Sequence, residues 1–238
     1  MGRAFEYRKA RKMARWANMA KTFTKIGREI TLAAKEGGGD PEYNPRLRIA
    51  VQNAKAANMP KANIENAIKK ATDPDLSNYE ERTFEGYAPH GIALMVETTT
   101  DNNNRTVANV RHVFNKYGGS MGNSGSVEFM FESKGVFKIE PEGQDAEELE
   151  LELIDHGLEE LRHEDDELVL VTDFENYGTL QSALDERKIE IKEAKLERIP
   201  THYKSLDDAA AEEVIAFIDK MEDDDDVMNV FHNMDMSE

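Results

Sequence analysis

Apolar positions recur at helical spacing through the first third of the chain. Over Thr22 to Lys35, a turn of ~100° per residue gathers Phe23, Ile26, Ile30, Ala33 and Ala34 on one side. Lys21, Lys25, Arg28 and Lys35 project from the other side, where Leu32 is an apolar exception. Gly37-Gly38-Gly39 predicts the stop, because a left-handed backbone costs glycine little, and Asp40-Pro41 supplies a turn. Asn44-Pro45 reads as the cap and first position of a second helix carrying Leu47, Ala50, Val51, Ala54 and Ala57. Arg46, Arg48 and Lys55 stay outside its stripe. Pro60, just ahead of Lys61, opens a third helix in which Ile64, Ala67, Ile68 and Ala71 repeat at i, i+3, i+4, i+7. These helices predict a small bundle over 21–78. Ahead of it, residues 1–20 hold Arg8, Lys9, Arg11, Lys12 and Arg15, with Tyr7 and Trp16 nearby, and are too poor in apolar residues to fold alone. They are expected to form a basic arm that orders on binding.

From Tyr87 onward the period changes. Ile92 to Glu97 reads as a buried strand, Thr106 as the cap of a helix carrying Val107, Val110, Phe114 and Tyr117, and Val127, Phe129, Phe131 as an alternating second strand. A helix through Val214, Ile215, Phe217, Ile218 and Met221, followed by Val227, Asn229 and Phe231, supplies the rest of the same sheet. Between them, residues 135–202 run strand, helix, strand, strand, helix, strand, which is the ferredoxin-like order. The expected architecture is α+β and multidomain. A three-helix domain precedes two α/β (ferredoxin-like) domains, with 134–203 inserted into a discontinuous domain of 79–133 plus 204–238.

Charge changes the picture more than composition does. The 238 residues are 39% apolar and 33% charged, within the globular class. No apolar run approaches the ~18 residues of a membrane span, and the start lacks a secretory signal, so no membrane partner is expected. The absence of cysteine excludes disulfides and thiolate chemistry and fits a cytoplasmic protein. The net charge of −18 argues against polyanion binding. It is an average over unlike parts: residues 1–70 carry 16 Lys and Arg against 6 Asp and Glu, and the remaining 168 residues have a net charge of −28. Such asymmetry points to nucleic-acid contact by the basic part, and arginine's planar fork suits phosphate. A merely solvated helix face is the competing reading of these cations.

Catalytic and metal signals are lacking. Asp223 to Asp226 and His163 to Glu167 miss the spacing of a calcium loop, and no His-Glu-x-x-His occurs, so neither metal nor cofactor is expected. Gly37-Gly38-Gly39 has no downstream Lys-Ser/Thr, and Gly118 to Gly122 precedes a strand rather than a helix, so neither is a phosphate loop. With no nucleophile elbow, no catalytic residue is assigned. The polar run Asp101, Asn102, Asn103, Asn104 and Arg105 joins strand to helix and is a candidate ligand or partner loop, although Asx-turn formation explains it equally well.

Several motifs then occur in order: Phe23-Thr-Lys-Ile-Gly-Arg-Glu-Ile30, Gly37-Gly-Gly-Asp-Pro41, Asn44-Pro-Arg-Leu-Arg48, Ala56-Ala-Asn-Met-Pro-Lys61, Asn63-Ile-Glu-Asn-Ala-Ile-Lys69, Phe84-Glu-Gly-Tyr-Ala-Pro-His-Gly91, Thr100-Asp-Asn-Asn-Asn-Arg-Thr-Val107, Gly118-Gly-Ser-Met-Gly122, Gly125-Ser-Val-Glu-Phe-Met-Phe131 and Asp226-Val-Met-Asn-Val-Phe-His-Asn233. Across nearly its whole length the chain resembles the YebC/PmpR family, which includes the mitochondrial translational activator of cytochrome oxidase. The resemblance implies the same three-domain fold in a cytoplasmic, non-enzymatic protein, a probable transcriptional regulator that binds DNA. It equally implies a role in translation, since other members act on the ribosome or messenger RNA and are linked to stalling at proline-rich sequences. Members often begin Gly-His-Ser-Lys-Trp-Ala-Asn, of which Trp16-Ala-Asn18 is retained here behind a longer basic lead.

The expected function is a nucleic-acid-binding regulator with DNA as target and a ribosome- or RNA-associated translation factor as the alternative. The basic residues named above, Arg8 through Lys61, would contact phosphates, and the acidic domains would meet protein partners. This reading requires those cations to share an accessible surface instead of being bound internally by the acids of the body.

Overall fold

The computed structural model describes residues 19–71, 79–164 and 166–236. Helix α1 (Met19–Gly37) ends where Gly38 takes a φ of +89°, a value glycine adopts without strain. Helices α2 (Pro45–Ala56) and α3 (Lys61–Lys70) follow. The buried Asn44 joins the first two: its carbonyl accepts from the Leu47 backbone N–H at 3.1 Å, while its amide donates to the carbonyls of Ala33 at 2.7 Å and Gly38 at 2.8 Å. One residue thus satisfies orphan groups at a helix start and a helix end. Ile30, Ala33, Leu47, Ala50, Ile64 and Ala67 lie in the core between the three helices. Leu32, the apolar exception of the sequence pattern, is buried as well.

The first sheet contains β1 (Glu80–Ala88), β2 (Ile92–Thr100), β3 (Ser120–Met121) and β8 (Val227–His232) in the order β3-β1-β2-β8, with every neighbouring pair antiparallel. Helices α4 (Asn103–Lys116) and α7 (Asp208–Glu222) pack against it. Phe114 from α4 meets Phe217 from α7 edge to face, ring centres 5.3 Å apart. Between β3 and α7 the chain builds a second antiparallel sheet from β4 (Phe131–Ile139), β5 (Leu158–Glu164), β6 (Glu167–Asp173) and β7 (Ile191–Pro200), ordered β5-β6-β4-β7. Helices α5 (Ala146–Ile154) and α6 (Tyr177–Glu186) complete the ferredoxin-like succession. The fold is therefore an α+β assembly of a three-helix domain followed by two α/β domains, one inserted in the other. Its outgoing and returning segments are stapled where the Thr201 N–H donates to the Met130 carbonyl at 2.9 Å.

Two local expectations are corrected, and one strand was missed. Residues 127–130 do not form a strand, which begins only at Phe131. Glu128–Met130 is a 3-10 turn, and the backbone N–H groups of Val127 and Glu128 point at the Glu85 carboxylate instead of a neighbouring strand. Thr106 does not cap α4; the N-cap is Asn102, whose side chain accepts from the Arg105 N–H at 3.1 Å. Strand β1 also escaped the hydrophobic pattern, because its first four residues are all exposed and carry no alternation.

The helical domain packs on the inserted one. The Asn53 amide pairs with the Ala194 backbone on β7, donating to its carbonyl at 2.8 Å and accepting from its N–H at 3.1 Å. Ile49 of α2 enters the core beneath the second sheet, and Arg48 reaches Asp185 at 3.3 Å.

Candidate nucleic-acid interface

Lys21, Lys25 and Arg28 occupy successive turns of α1, and the end of α7 meets them with the acidic run Glu222–Asp226. Lys21 pairs with Asp223 at 3.1 Å, Lys25 donates to the Glu222 carbonyl at 3.3 Å, and Arg28 reaches Asp226 at 3.1 Å. Arg28 also donates to the carbonyls of Asp225 and Thr99 and lies 5.7 Å from the ring centre of Tyr79. The expectation that these three form part of an open cationic face is thus corrected: complementary charge on the first α/β domain covers them.

Asp226 is the centre of that contact. Its buried carboxylate accepts from Arg105 at 2.7 Å, Thr106 at 2.8 Å and Thr100 at 3.2 Å, in addition to Arg28. Burial alone would push the carboxyl upward in pKa, yet the hydrogen bonds from Arg105 and Thr106 and the charges of Arg105 and Arg28 hold it below the usual carboxylate range. Arg105 additionally pairs with Asp101 at 2.8 Å. The Asp101–Arg105 run therefore starts α4 and positions a charged hub. Asn103 and Asn104 are exposed on its first turn. Asp101 and Asn103 share a hollow of about 310 Å³ with Lys35 and Tyr79.

The other predicted cations disperse. Arg46 bridges Glu36 and Glu81, the former at 2.5 Å. Arg48 donates to the carbonyls of Pro41 and Glu42 as well as pairing with Asp185. Lys55 is exposed at the last turn of α2, and Lys61 is exposed at the first turn of α3, 3.8 Å from Glu65. Arg8, Lys9, Arg11, Lys12 and Arg15 lie outside the described residues.

A basic concavity does exist, between α1 and α3. This groove of about 660 Å³ is bordered by Arg28, Lys69 and Lys70, by the amides of Asn63 and Asn66, and by the aromatic rings of Phe23 and Tyr79. No carboxylate is among the described residues lining it. Lys69 and Lys70 were not among the predicted contacts. A signal for Lys70 was available: at ~100° per residue Asn63, Asn66 and Lys70 fall within about 60° of one another on α3, flanking the apolar stripe of Ile64, Ala67 and Ala71. Among the described residues no cluster of metal-ligating side chains occurs, and no helix is long and apolar enough to cross a membrane.

Residues 3–74 match the N-terminal domain, and residues 79–234 the second and third domains, of the TACO1/YebC proteins. The chain belongs to the TACO1/YebC family. Relatives in Flavobacterium psychrophilum and Porphyromonas gingivalis, each called a probable transcriptional regulatory protein, are 57% and 56% identical to it, covering 98% of this chain and 99% and 97% of their own. A crystal structure of a conserved hypothetical protein from Aquifex aeolicus is similar with a TM-score of 0.80 at 40% identity, over 91% of this chain and 90% of that one. The TACO1/YebC fold thus accounts for the whole described architecture, the inserted domain included.

Proposed function

We propose that this protein is a cytoplasmic, non-enzymatic regulator that binds nucleic acid through the α1–α3 groove, and that, as its relatives' names suggest, it regulates transcription. The observation that supports this is the groove itself, where Lys69, Lys70 and two amides border a concavity with no carboxylate among its described lining residues, in a chain of net charge −18. Local positive potential in an acidic protein attracts phosphate where the average would repel it. The acidic α/β domains keep the rest of the surface from holding the polyanion and are available to protein partners. A second reading, regulation of translation on RNA, is favoured by one feature. The cations of α1 turn toward Glu222–Asp226 and do not form the outward row by which a recognition helix enters a duplex groove.

Salt titration of binding to a labelled oligonucleotide tests the proposal. Contacts from Lys69 and Lys70 alone make affinity fall about 7- to 12-fold between ~50 and ~200 mM salt. Binding indifferent to salt would refute phosphate recognition.

A further inference from the structure

Resting on that reading, we infer that the α1–α3 groove holds an unpaired base, so that the ligand is single-stranded nucleic acid. The groove's volume of about 660 Å³ lies inside the roughly 300–1,000 Å³ typical of ligand-binding clefts, so it has room for a nucleobase. Its chemistry is layered as a nucleotide is. The aromatic side chains of Phe23 and Tyr79 border the space a base would take, Asn63 and Asn66 supply donors and acceptors for a base edge, and Lys69 and Lys70 would meet the flanking phosphate. Tyr79 is further fixed by the Arg28 guanidinium over its ring, and Arg28 is in turn held by Asp226.

A duplex cannot use these groups together, because its base faces are stacked and its Watson–Crick edges are paired. Unpaired strands splay bases onto aromatic rings and expose those edges to side-chain amides. Phosphate attraction alone would explain the lysines, and it would leave the two amides lining the same concavity without a role.

Gly27 provides a way to close the groove. It lies on the groove wall, and a Cβ built there meets nothing nearer than the terminal methyl of Met59 at 3.9 Å. Gly27→Leu therefore adds apolar bulk on the groove wall without changing any charged residue, and leucine is the better helix former.

The full-length protein is titrated by fluorescence anisotropy with a labelled single strand, its duplex, and an abasic strand of equal length, each in ribo and deoxyribo form. The expected result is tighter binding of the strand than of the duplex. Removal of the bases should weaken it about 5- to 150-fold, the range for one to a few stacked contacts. Gly27→Leu should bring strand affinity down to the abasic level with the circular dichroism spectrum and melting temperature retained. Asn63→Ala with Asn66→Ala should act in the same direction. Equal affinity for strand, duplex and abasic strand, or wild-type strand affinity in a folded Gly27→Leu protein, would overturn the unpaired-base site and leave salt-dependent phosphate binding intact. No salt-dependent binding to any of the three would overturn both. The ribo and deoxyribo arms identify which strand is preferred.

Discussion

The guanidinium of Arg28 and the carboxylate of Asp226 meet at 3.1 Å, with 15% and 3% of their side-chain surfaces exposed, and this pair joins α1 to the turn before β8. Because Arg105, Thr100 and Thr106 converge on the same carboxylate, Asp226 ties α1, β2, α4 and the β8 edge at one point. Asp226→Asn removes the charge that two arginines share. It is expected to destabilise the fold by about 3–5 kcal/mol, the usual cost of breaking a buried pair. Asp223→Asn, acting on a largely exposed pair with Lys21, should cost about 0–1 kcal/mol. Urea unfolding of both variants checks the contrast; equal losses would remove Asp226 from its central place.

Acid should undo the same hub. Asp226 and Glu85 both titrate below their ordinary values of 3.8 and 4.5. For Glu85, burial acts upward and is outweighed by the N–H groups of Val127, Gly125 and Glu128, at 2.8, 2.6 and 2.9 Å. Groups whose folded pKa is lowered stabilise at neutral pH, and that stability is lost as pH falls through the folded values. The urea midpoint should therefore drop steeply below about pH 4.5. Glu85→Gln should flatten that slope; an unchanged slope in the variant would show that the loop 125–128 is held by other means.

Glu29 carries the opposite sign. Burial pushes its carboxyl above the ordinary value of 4.5, Arg46 opposes this, and the like charge of Glu81 adds to it. A raised carboxyl favours the folded state when protonated and costs stability as pH rises between the unfolded and folded values. Glu29→Gln should raise the melting temperature at pH 7.5, with the gain shrinking to nothing below the ordinary carboxyl range. A lower melting temperature at pH 7.5 would mean that attraction to Arg46 prevails.

Asn53 tests the docking of the helical domain on the inserted one. Its amide satisfies both backbone groups of Ala194 on β7. Asn53→Ala leaves that donor and acceptor without the amide and should cost about 1–3 kcal/mol. Amide exchange at Ala194 should accelerate correspondingly, since opening this contact would no longer require breaking two hydrogen bonds. Unaltered protection at Ala194 would place the stability of the contact in Ile49 packing alone.

What the linear pattern revealed and what it hid follow from the range of the interactions. The three helices, the Asn44 cap and the ferredoxin-like succession were legible because their determinants lie within a few residues of one another. Strand β1 was not, since its pairing with β2 rather than alternation defines it. The Val127–Phe131 alternation misled because Glu85, some forty residues earlier, takes its N–H groups. The cations of α1 were visible, and their destination was not. Only folding brings Asp223 and Asp226 beside Lys21 and Arg28, about two hundred residues apart in sequence. The groove depends on α1 and α3 lying side by side, so the spacing of Asn63, Asn66 and Lys70 indicated a polar face without indicating what it faces.

Charge reversal now separates two kinds of basic residue that the sequence presents alike. Arg28→Glu sets a new carboxylate beside the buried Asp226 and next to Arg28's former carbonyl partners. It should unfold or strongly destabilise the protein, by about 3–5 kcal/mol, so any loss of binding in it reports folding. Lys70→Glu alters an exposed side chain on the groove rim and should leave the melting temperature within about 1–2 °C of wild type, the effect of a surface change of about 0.5 kcal/mol. Its binding to a single strand should weaken, and the slope of log affinity against log salt should become shallower by about 0.7, the share of one phosphate contact. Parallel melting and binding curves for the two variants decide the matter: a stable Lys70→Glu protein with the wild-type salt slope would remove that lysine from the phosphate path.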